Sequence, residues 1–354
     1  MIIFLYVLVI LCYNFFMKRY VELLLNWFYE NKRDLPWRKA ANPYHVWISE
    51  VMLQQTRIDK VISYYEKFIE KIPDIKSLSE ISDDKLLKLW EGLGYYSRAR
   101  NLKKAAIKIM NDFHGEFPNN YADILSLPGV GEYTAGAIAS VCFQLPEVAI
   151  DGNTMRVYCR LCDLDLDISN LQVKKAIANK IRNILPENPG DFNQAIMELG
   201  ETICLPNGHP KCLECPFCYS CSAHLNQRET LIPRKIISSQ KLEEEYTLFL
   251  IKYKNKYALH KRKTDLLKNM WEFPNEPGFL TYDEIKEKFK NSTFIKIGIT
   301  NTHLFSHKKW FMNSYFIEVQ DQMNEYVWAT IEEIESNYAI PTAFMPFLAY
   351  IKTK

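Results

Sequence analysis

Residues 127–137 of the chain are Leu127-Pro128-Gly129-Val130-Gly131-Glu132-Tyr133-Thr134-Ala135-Gly136-Ala137. A Pro-Gly-x-Gly turn between two helical patterns exposes backbone N–H groups at the start of the second helix. These donors and the helix dipole suit a phosphate oxygen. Any tight connection between two helices also favours two glycines, so the turn alone predicts a helical hairpin that is compatible with phosphate binding.

Helical periodicity surrounds this turn, from residue 20 to about residue 223. Apolar residues recur three and four positions apart within 21–28, 61–72 and 102–109, which predicts the core-facing sides of helices. Prolines divide the region into helices of ordinary length. The first part of the chain is therefore predicted to be entirely α-helical.

The pattern changes after residues 222–243, which are polar and carry Pro233 among basic residues, as is typical of a linker. Residues 246–253 and 256–260 are rich in β-formers and flank a short turn, so they predict a hairpin. A third strand is expected at 313–319 and helices at 281–290 and 343–351. The second part is thus a smaller α+β domain.

Composition excludes several classes of protein. The 354 residues are 48% hydrophobic and 24% charged, so a disordered or fibrous chain is excluded and two or three domains are expected. The net charge is only +2, which means that any case for nucleic-acid binding depends on local motifs. Nine cysteines are too few for a disulfide scaffold, and their clustering indicates a metal site in a reducing compartment.

The cysteine cluster offers five soft ligands within eighteen positions, namely Cys204, Cys212, Cys215, Cys218 and Cys221. Thiolates suit zinc or an iron–sulfur cluster. Structural zinc usually takes two separated ligand pairs, whereas here one short run has a single distant member. This spacing favours a four-iron cluster and leaves one cysteine over.

Two carboxylates lie in apolar surroundings. Glu50 falls within the stretch 46–53, and Asp151 follows Ala149-Ile150. A desolvated acid can donate a proton while an ionised one stabilises a developing cation, which is how glycosidic bonds are cleaved. Each residue could instead be a helix cap or a paired structural acid.

Several motifs together resemble the MutY family of adenine DNA glycosylases, in the endonuclease III superfamily of helix-hairpin-helix DNA repair enzymes. The resemblance runs from about Met17 to the C-terminus. Its motifs are Leu35-Pro36-Trp37-Arg38, Ser49-Glu50-Val51-Met52-Leu53-Gln54-Gln55-Thr56, Gly92-Leu93-Gly94-Tyr95-Tyr96, the hairpin 127–131, Asp151-Gly152-Asn153, Phe192-Asn193-Gln194-Ala195 and the cysteine cluster.

The fold implied is an all-α helix-hairpin-helix glycosylase core with an iron–sulfur loop, followed by an α+β nudix domain like that of MutT. Two helical lobes would enclose a DNA-binding cleft. The implied boundaries are a glycosylase domain at 17–223 (a six-helix lobe at about 36–148 with the hairpin 127–131, and an iron–sulfur lobe formed by 17–35 and 149–223), a linker at 224–243 and a recognition domain at 244–354.

The resemblance also implies the catalytic residues. Glu50 would protonate the adenine, and Asp151 would stabilise the oxocarbenium-like sugar or bond to it transiently. Tyr133 and Asn153 would arrange this pair. Lyase members of the superfamily carry a lysine at the position of Tyr133, whose amine forms a Schiff base. Tyrosine cannot do this, so a glycosylase without efficient strand cleavage is expected.

The implied partner is double-stranded DNA with adenine opposite 8-oxoguanine or guanine, bound by a monomer without an obligate protein partner. The adenine must be flipped out of the duplex, and binding should depend on salt. The implied base-pocket residues are Trp37, Arg38, Leu53 and Gln194. The implied DNA contacts are Gln55 and Tyr95 inside the duplex, Gly129, Val130 and Gly131 at phosphates, and Phe305, Ser306 and His307 at 8-oxoguanine.

The implied cofactor is a 4Fe–4S cluster held by Cys204, Cys212, Cys215 and Cys221. The family spacing is C-x6-C-x2-C-x5-C, whereas seven residues separate Cys204 from Cys212 here. One additional loop residue is easily accommodated. Cys218 is an extra cysteine and a candidate substitute ligand.

The sequence also has features of three other functions. Trp271-Glu272-Phe273-Pro274 resembles nudix hydrolases, and Gly278 and Glu284 match the opening of their metal-binding box. The expected Arg-Glu and Glu-Glu pairs do not follow, so hydrolysis is disfavoured. A glycosylase/lyase of the endonuclease III type, acting on oxidised pyrimidines, is opposed by Tyr133 and by the additional domain. The third is a non-catalytic iron–sulfur module that binds DNA and senses redox state, in which the two carboxylates are vestigial.

The N-terminus has no counterpart in the family. Residues 1–17 are almost entirely apolar, yet the run is marginal for spanning a bilayer and lacks the features of a signal peptide. Met17 offers a second start, so residues 1–16 are treated as an extension of uncertain status. A cytoplasmic, nucleoid-associated protein is expected, with membrane anchoring as the less favoured alternative.

Overall fold

The computed structural model describes residues 18–39, 42–234 and 241–354, so the predictions for residues 1–16 lie outside the described residues. The chain divides into two compact units. The helical unit comprises Met1–Ser79 and Lys104–Ile237, and the mixed unit comprises Glu80–Lys103 and Ser238–Lys354. Among the described helices, none combines the length and the hydrophobicity that crossing a membrane requires.

The helical unit confirms the predicted all-α part of the chain. Its first helix, α1, covers 18–31. The remaining helices are α2 (Pro43–Leu53), α3 (Ile58–Lys71), α4 (Ile75–Glu80, whose last residue belongs to the mixed unit), the second half of α6 (Ser97–Asp112), α7 (Tyr121–Leu125), α8 (Glu132–Phe143), α9 (Gly152–Leu161), α10 (Leu171–Arg182), α11 (Pro189–Thr202) and α12 (Ser222–Leu225).

The predicted apolar stripes form the core of this unit. In α1, Val21, Leu24 and Phe28 are at most 6% exposed and pack with apolar residues of α9 and α11.

The start of α2 is fixed by local chemistry. Asn42 accepts a hydrogen bond from the Tyr44 amide at 2.9 Å, directly before a proline at the first helical position, an arrangement that favours helix initiation.

The mixed unit contains α5 (Asp83–Leu89), the start of α6 and an eight-stranded sheet. The strands are β1 (Leu242–Tyr253), β2 (Lys256–Lys261), β3 (Trp271–Glu272), β4 (Asn275–Pro277), β5 (Ser292–Ile297), β6 (Asn301–Leu304), β7 (Lys308–Val319) and β8 (Val327–Ala329). The main order is β3-β2-β1-β7-β5, with β4 on β1, β6 on β7 and β8 on β2.

The predicted β1–β2 hairpin is confirmed by the pairing of Tyr253 with Lys256. In contrast, β1 and β7 run parallel over eleven residue pairs, so a long connection must separate them in the chain. Apolar side chains cover both faces of the sheet. Helices α13 (Tyr282–Lys288), α14 (Ile331–Asn337) and α15 (Met345–Ile351) complete the unit, and two of them were predicted.

The segment between the two predicted domains contains some regular structure at its ends. Helix α12 covers Ser222–Leu225, and β1 begins at Leu242. Residues 235–240 lie outside the described residues. The domain boundaries given by the resemblance stay a prediction.

Candidate functional site

A cavity of about 970 Å³ in the helical unit brings together most of the residues predicted to handle the adenine. Its walls come from α2, α8, α9 and α11, together with the segment around Trp37. The predicted residues that line it are Trp37, Arg38, Glu50, Leu53, Gln55, Tyr133, Asp151, Asn153 and Gln194.

Glu50 is held in this cavity by α2, whose other face is built into the core. Its neighbours Ser49 and Val51 are at most 4% exposed. Burial, opposed by a hydrogen bond with Tyr133 and aided by the charge of Asp151, raises the pKa of Glu50 to about 7. Atom Oε2 is buried and has no hydrogen-bond partner in the part of the chain that the structure describes. A carboxyl group in this state can hold a proton at neutral pH and donate it.

Tyr133 lies in the first turn of α8, directly after the hairpin. Its hydroxyl is 3.1 Å from Sδ of Met197. Burial, followed by the charges of Glu50 and Asp151, raises the pKa of Tyr133 well above its usual value. The phenol therefore stays protonated and can donate a hydrogen bond, but it cannot serve as an anion.

Asp151 is the N-cap of α9, as one of the sequence alternatives anticipated. Its Oδ1 accepts a hydrogen bond from the Thr154 amide at 2.7 Å, and Oδ2 accepts one from Nδ2 of Asn153 at 2.8 Å. Capping fixes the carboxylate in one orientation. Capping and a catalytic role are thus compatible for this residue.

Sequence reasoning did not identify Arg156, which holds Asn153 in place. Arg156 is 7% exposed. Its Nη2 donates to Oδ1 of Asn153 at 2.6 Å and to the Gly200 carbonyl at 2.8 Å, while Nε donates to the Cys204 carbonyl at 2.8 Å. A Cβ at Gly200 would lie 2.5 Å from that of Asn153, so only glycine permits this approach. Arg156 lies one α-helical turn after Gly152, and this spacing was the signal in the sequence that could have indicated it.

Glu198 is a second residue that sequence reasoning did not identify. It is 2% exposed, accepts from Nε of Arg33 at 2.6 Å and from Nη2 of Arg38 at 2.8 Å, and lines the cavity. Arg38 also donates to Oε1 of Gln194 at 3.0 Å. Gln194 and Glu198 are four residues apart on α11, so they share one face. That spacing could have indicated Glu198.

Trp37 forms part of the cavity wall on a short 3₁₀ turn, Pro36–Arg38. It is 7% exposed, and its ring packs edge-on against Tyr65 with 5.2 Å between centroids. Leu53 is the last residue of α2. The two apolar side chains and the polar groups of Arg38 and Gln194 give the cavity the mixed lining that a heterocyclic base requires.

The predicted helix-hairpin-helix is formed by α7, the turn at 126–131 and α8. Gly129 has a φ of 79°, which favours glycine. The Val130 amide donates to the Leu127 carbonyl at 3.1 Å, and Gly131 is the N-cap of α8. The turn thus leads directly into the N-terminus of α8.

The cysteines lie together beside α9. Burial raises the pKa of Cys215 to about 12, with further contributions from Cys204, Cys221 and Cys212. Arg160 donates to Sγ of Cys204 at 3.3 Å. These four cysteines line one small cavity, together with Cys218, His224 and Glu229. The four predicted ligand thiols therefore act on one another electrostatically, as residues that share one site must.

A groove of about 390 Å³ in the mixed unit contains the other predicted DNA contacts. Phe305, Ser306 and His307 form the turn between β6 and β7, where the Phe305 amide donates to the Lys308 carbonyl at 2.8 Å. Ser306 and His307 are exposed, and Oγ of Ser306 is 3.1 Å from Nδ1 of His307. Tyr95 and Arg100 line the same groove.

The nudix-like segment is used structurally. Glu272 is 2% exposed and pairs with Arg262 at 2.7 Å and His260 at 2.9 Å. Glu284 completes a capping box with Thr281 at the start of α13. These glutamates therefore fix the fold of the mixed unit.

Comparisons with known proteins agree with this arrangement. A model of the HhH-GPD superfamily of base excision DNA repair proteins matches residues 48–183, and a NUDIX domain model matches residues 246–350. A solved structure of a thermostable thymine-DNA glycosylase is 30% identical, with a TM-score of 0.54 over 59% of this chain and 97% of that one. Endonuclease III in a non-covalent DNA complex has a TM-score of 0.53 at 21% identity, over 60% of this chain and 97% of that one, and shares the fold.

Two adenine DNA glycosylases have a higher sequence identity to this chain than these solved structures. The adenine DNA glycosylase of Buchnera aphidicola subsp. Baizongia pistaciae (strain Bp) is 36% identical over 346 residues, which are 94% of this chain and 97% of that protein. The adenine DNA glycosylase of Homo sapiens is 41% identical over 233 residues, 62% of this chain and 42% of that protein. The predicted resemblance and fold class are confirmed, and the chain belongs to the adenine DNA glycosylase family of base excision repair enzymes.

Proposed function

We propose that the protein is a monofunctional glycosylase that removes adenine opposite 8-oxoguanine or guanine, with Glu50 as the acid. The observation that carries this proposal is the pairing of two unlike carboxyl groups in one cavity. Glu50 is partly buried and its pKa is raised to about 7, whereas Asp151 is a hydrogen-bonded helix cap. Two acids held in different environments are what acid-assisted glycosidic cleavage requires.

The bond that breaks joins the sugar carbon C1′ to the adenine. Its electron pair leaves with the base, which takes the proton of Glu50 and departs as a neutral molecule. The sugar becomes an oxocarbenium-like cation that the Asp151 carboxylate stabilises. Water then adds to C1′ and gives its proton to the Glu50 carboxylate, which restores the acid. Tyr133 donates a hydrogen bond within this group and holds Glu50 in place.

Tyr133 also supports the absence of strand cleavage. A lyase requires an amine that attacks C1′ and forms a Schiff base. The partly buried phenol at this position has a pKa well above its usual value, so it supplies no nucleophile at neutral pH. The abasic site should therefore remain in an unbroken strand.

The DNA contacts are proposed from the arrangement of each unit separately. In the helical unit, the turn at 129–131 would bind a phosphate, and Trp37, Arg38, Leu53 and Gln194 would enclose the flipped base. Gln55 has a left-handed φ of 58° and lines the same cavity. In the mixed unit, Tyr95 would enter the stack and the turn at 305–307 would contact 8-oxoguanine. The monomer suffices for all of these contacts.

The cofactor we propose is a 4Fe–4S cluster on Cys204, Cys212, Cys215 and Cys221, whose thiols share one small cavity. When bound, such a cluster would hold together the loop at 204–221, on which the Arg156 contact to the Cys204 carbonyl depends. The 3.4 Å contact from the Phe217 amide to Sγ of Cys215 is of the kind that stabilises a thiolate.

A Cys218→Ser variant tests this ligand set. We expect it to keep the iron content and the visible absorbance of the parent, because the other four cysteines suffice. Cys215→Ser is the matched variant and should lose both. A Cys218→Ser protein that lost its iron would assign Cys218 to the ligand set.

The proposed activity is tested with a labelled duplex that carries one adenine opposite 8-oxoguanine. We expect strand breaks only after hot alkali, since base removal without lyase action leaves an alkali-labile site. Breaks without alkali would support the glycosylase/lyase alternative. No product from a protein that retains its iron and binds the duplex would support the DNA-binding redox module. Glu50→Gln should bind the duplex and yield no breaks.

A further inference from the structure

The turn that carries Tyr95 has an unusual backbone. Gly92 and Gly94 have φ values of 95° and 73°, and Tyr95 itself has a φ of 47°. The left-handed region is disfavoured for a residue with a side chain. The neighbours Leu93 and Tyr96 are at most 5% exposed, whereas Tyr95 is 45% exposed. The chain thus bends sharply to hold one aromatic ring out of the fold, and another group must maintain that bend.

Arg98 contacts all parts of this bend. It is 7% exposed, and its Nη2 donates to the carbonyls of Leu93 at 3.2 Å and Gly94 at 3.0 Å. Its Nε donates to the Tyr95 carbonyl at 3.4 Å. Three successive carbonyls therefore point at one guanidinium, whose rigid planar fork can bridge them in a way that a lysine cannot.

The same guanidinium also packs against aromatic rings. Its central carbon is 5.4 Å from the ring centroid of Trp90 and 5.7 Å from that of Tyr95, within the range of cation–π attraction. Trp90 is fully buried, and its Nε1 donates to the Gly94 carbonyl at 3.2 Å. Arg98 thus joins the exposed ring to a fixed point of the mixed unit.

We propose that Arg98 is a positioning residue that holds Tyr95 preformed as the wedge which enters the DNA stack. This inference rests on the proposed function, in which Tyr95 contacts DNA. Flipping a base costs free energy, and a wedge that is already rigid does not lose conformational entropy when it enters. Arg98 itself touches neither the base nor the sugar.

The test uses Arg98→Lys, which keeps the charge but not the fork, and Tyr95→Asn, which tolerates the left-handed backbone and lacks the ring. Single-turnover excision is measured at saturating enzyme on a duplex with adenine opposite 8-oxoguanine. We expect each variant to be slower by about tenfold, as if the wedge conformer fell to about one-tenth of the population. The double variant should be no slower than Tyr95→Asn alone, because Arg98 acts only through Tyr95.

A spectroscopic readout separates positioning from general stability. A 2-aminopurine beside the target adenine brightens when it is unstacked, and Glu50→Gln protein lets this be recorded without excision. We expect Arg98→Lys to remove most of the signal while melting temperature stays near that of Lys103→Gln. Lys103 lies on the same helix and pairs with Asp83 at 2.6 Å, away from the turn, so Lys103→Gln controls for the loss of a polar contact elsewhere on that helix.

The outcomes are distinguishable. Parental rates and fluorescence in Arg98→Lys, or losses that multiply in the double variant, would overturn the proposal. An active parent with a Tyr95→Asn variant of equal rate would also overturn it, since there would be no wedge to position. A parent that removes no adenine at all would overturn the proposed function instead.

Discussion

The catalytic cavity of the helical unit and the groove of the mixed unit hold their functional residues in opposite ways. In the cavity, Glu198 is buried and pairs with two arginines, while Glu50 is partly buried, and the loss of solvent around Glu50 raises the pKa of its carboxyl group to about 7. In the groove, Ser306, His307 and Tyr95 are exposed on turns. Bond cleavage requires a desolvated acid, whereas contact with DNA requires side chains that a duplex can reach.

The largest expected effect comes from Glu50→Gln, which removes the proton donor and keeps the size of the side chain. We expect single-turnover excision to fall by about 10²–10⁴-fold, with duplex affinity within about threefold of the parent. Glu147→Gln, at a partly exposed ion pair with Arg182, is the control. A Glu50→Gln protein with the parental excision rate would show that Glu50 is not the acid.

Glu50→Gln should also stabilise the folded protein in alkaline solution. The folded pKa is about 7 and the ordinary value is 4.5, so folding favours the protonated form and stability is lost as pH rises through this window. The difference corresponds to about 3 kcal/mol at pH 8. Glutamine has no such cost, and the gain over the parent should vanish below pH 4. Denaturant unfolding at pH 4 and pH 8 measures it.

Arg156→Met should have the next largest effect, because it removes the hydrogen bond that holds Asn153 against Asp151. A small displacement of the carboxylate is expected to slow excision by about 10–100-fold. Arg182→Met, an exposed arginine on α10 with 44% of its side chain accessible, is the control. Equal excision rates in the two variants would show that Asp151 is held by its capping contacts alone.

The pH dependence of the chemical step tests the same cavity without a mutation. Glu50 acts while protonated, so the single-turnover rate should be level below its pKa and fall above about pH 7. Between pH 6 and pH 8 the loss should be about tenfold. A rate that is constant through this range, measured at saturating enzyme, would contradict Glu50 as the acid.

The sequence predicts local features of the molecule better than features that depend on contacts between distant residues. Motifs near one another in the chain, such as 127–131 and 151–153, determine local turns and caps, and the structure has both. For Arg156 and Glu198, helical spacing could indicate that they face the site, but it could not predict their roles. Their roles depend on contacts with residues more than forty positions away, at Gly200 for Arg156 and at Arg33 and Arg38 for Glu198. The pKa of Glu50 likewise depends on packing around α2, which no motif encodes.

Mutations in the groove, unlike those in the cavity, should change the preference for 8-oxoguanine over guanine more than the overall excision rate. Ser306→Ala removes a hydroxyl that is exposed on the β6–β7 turn and lies 3.1 Å from Nδ1 of His307. We expect excision opposite 8-oxoguanine to slow by about threefold, the scale of one lost hydrogen bond, while excision opposite guanine stays unchanged. Thr293→Ala, on the exposed strand β5, is the matched loss of a hydroxyl in the same unit. An equal decrease on both duplexes would mean that the turn contributes to affinity for DNA and not to the choice of the opposite base.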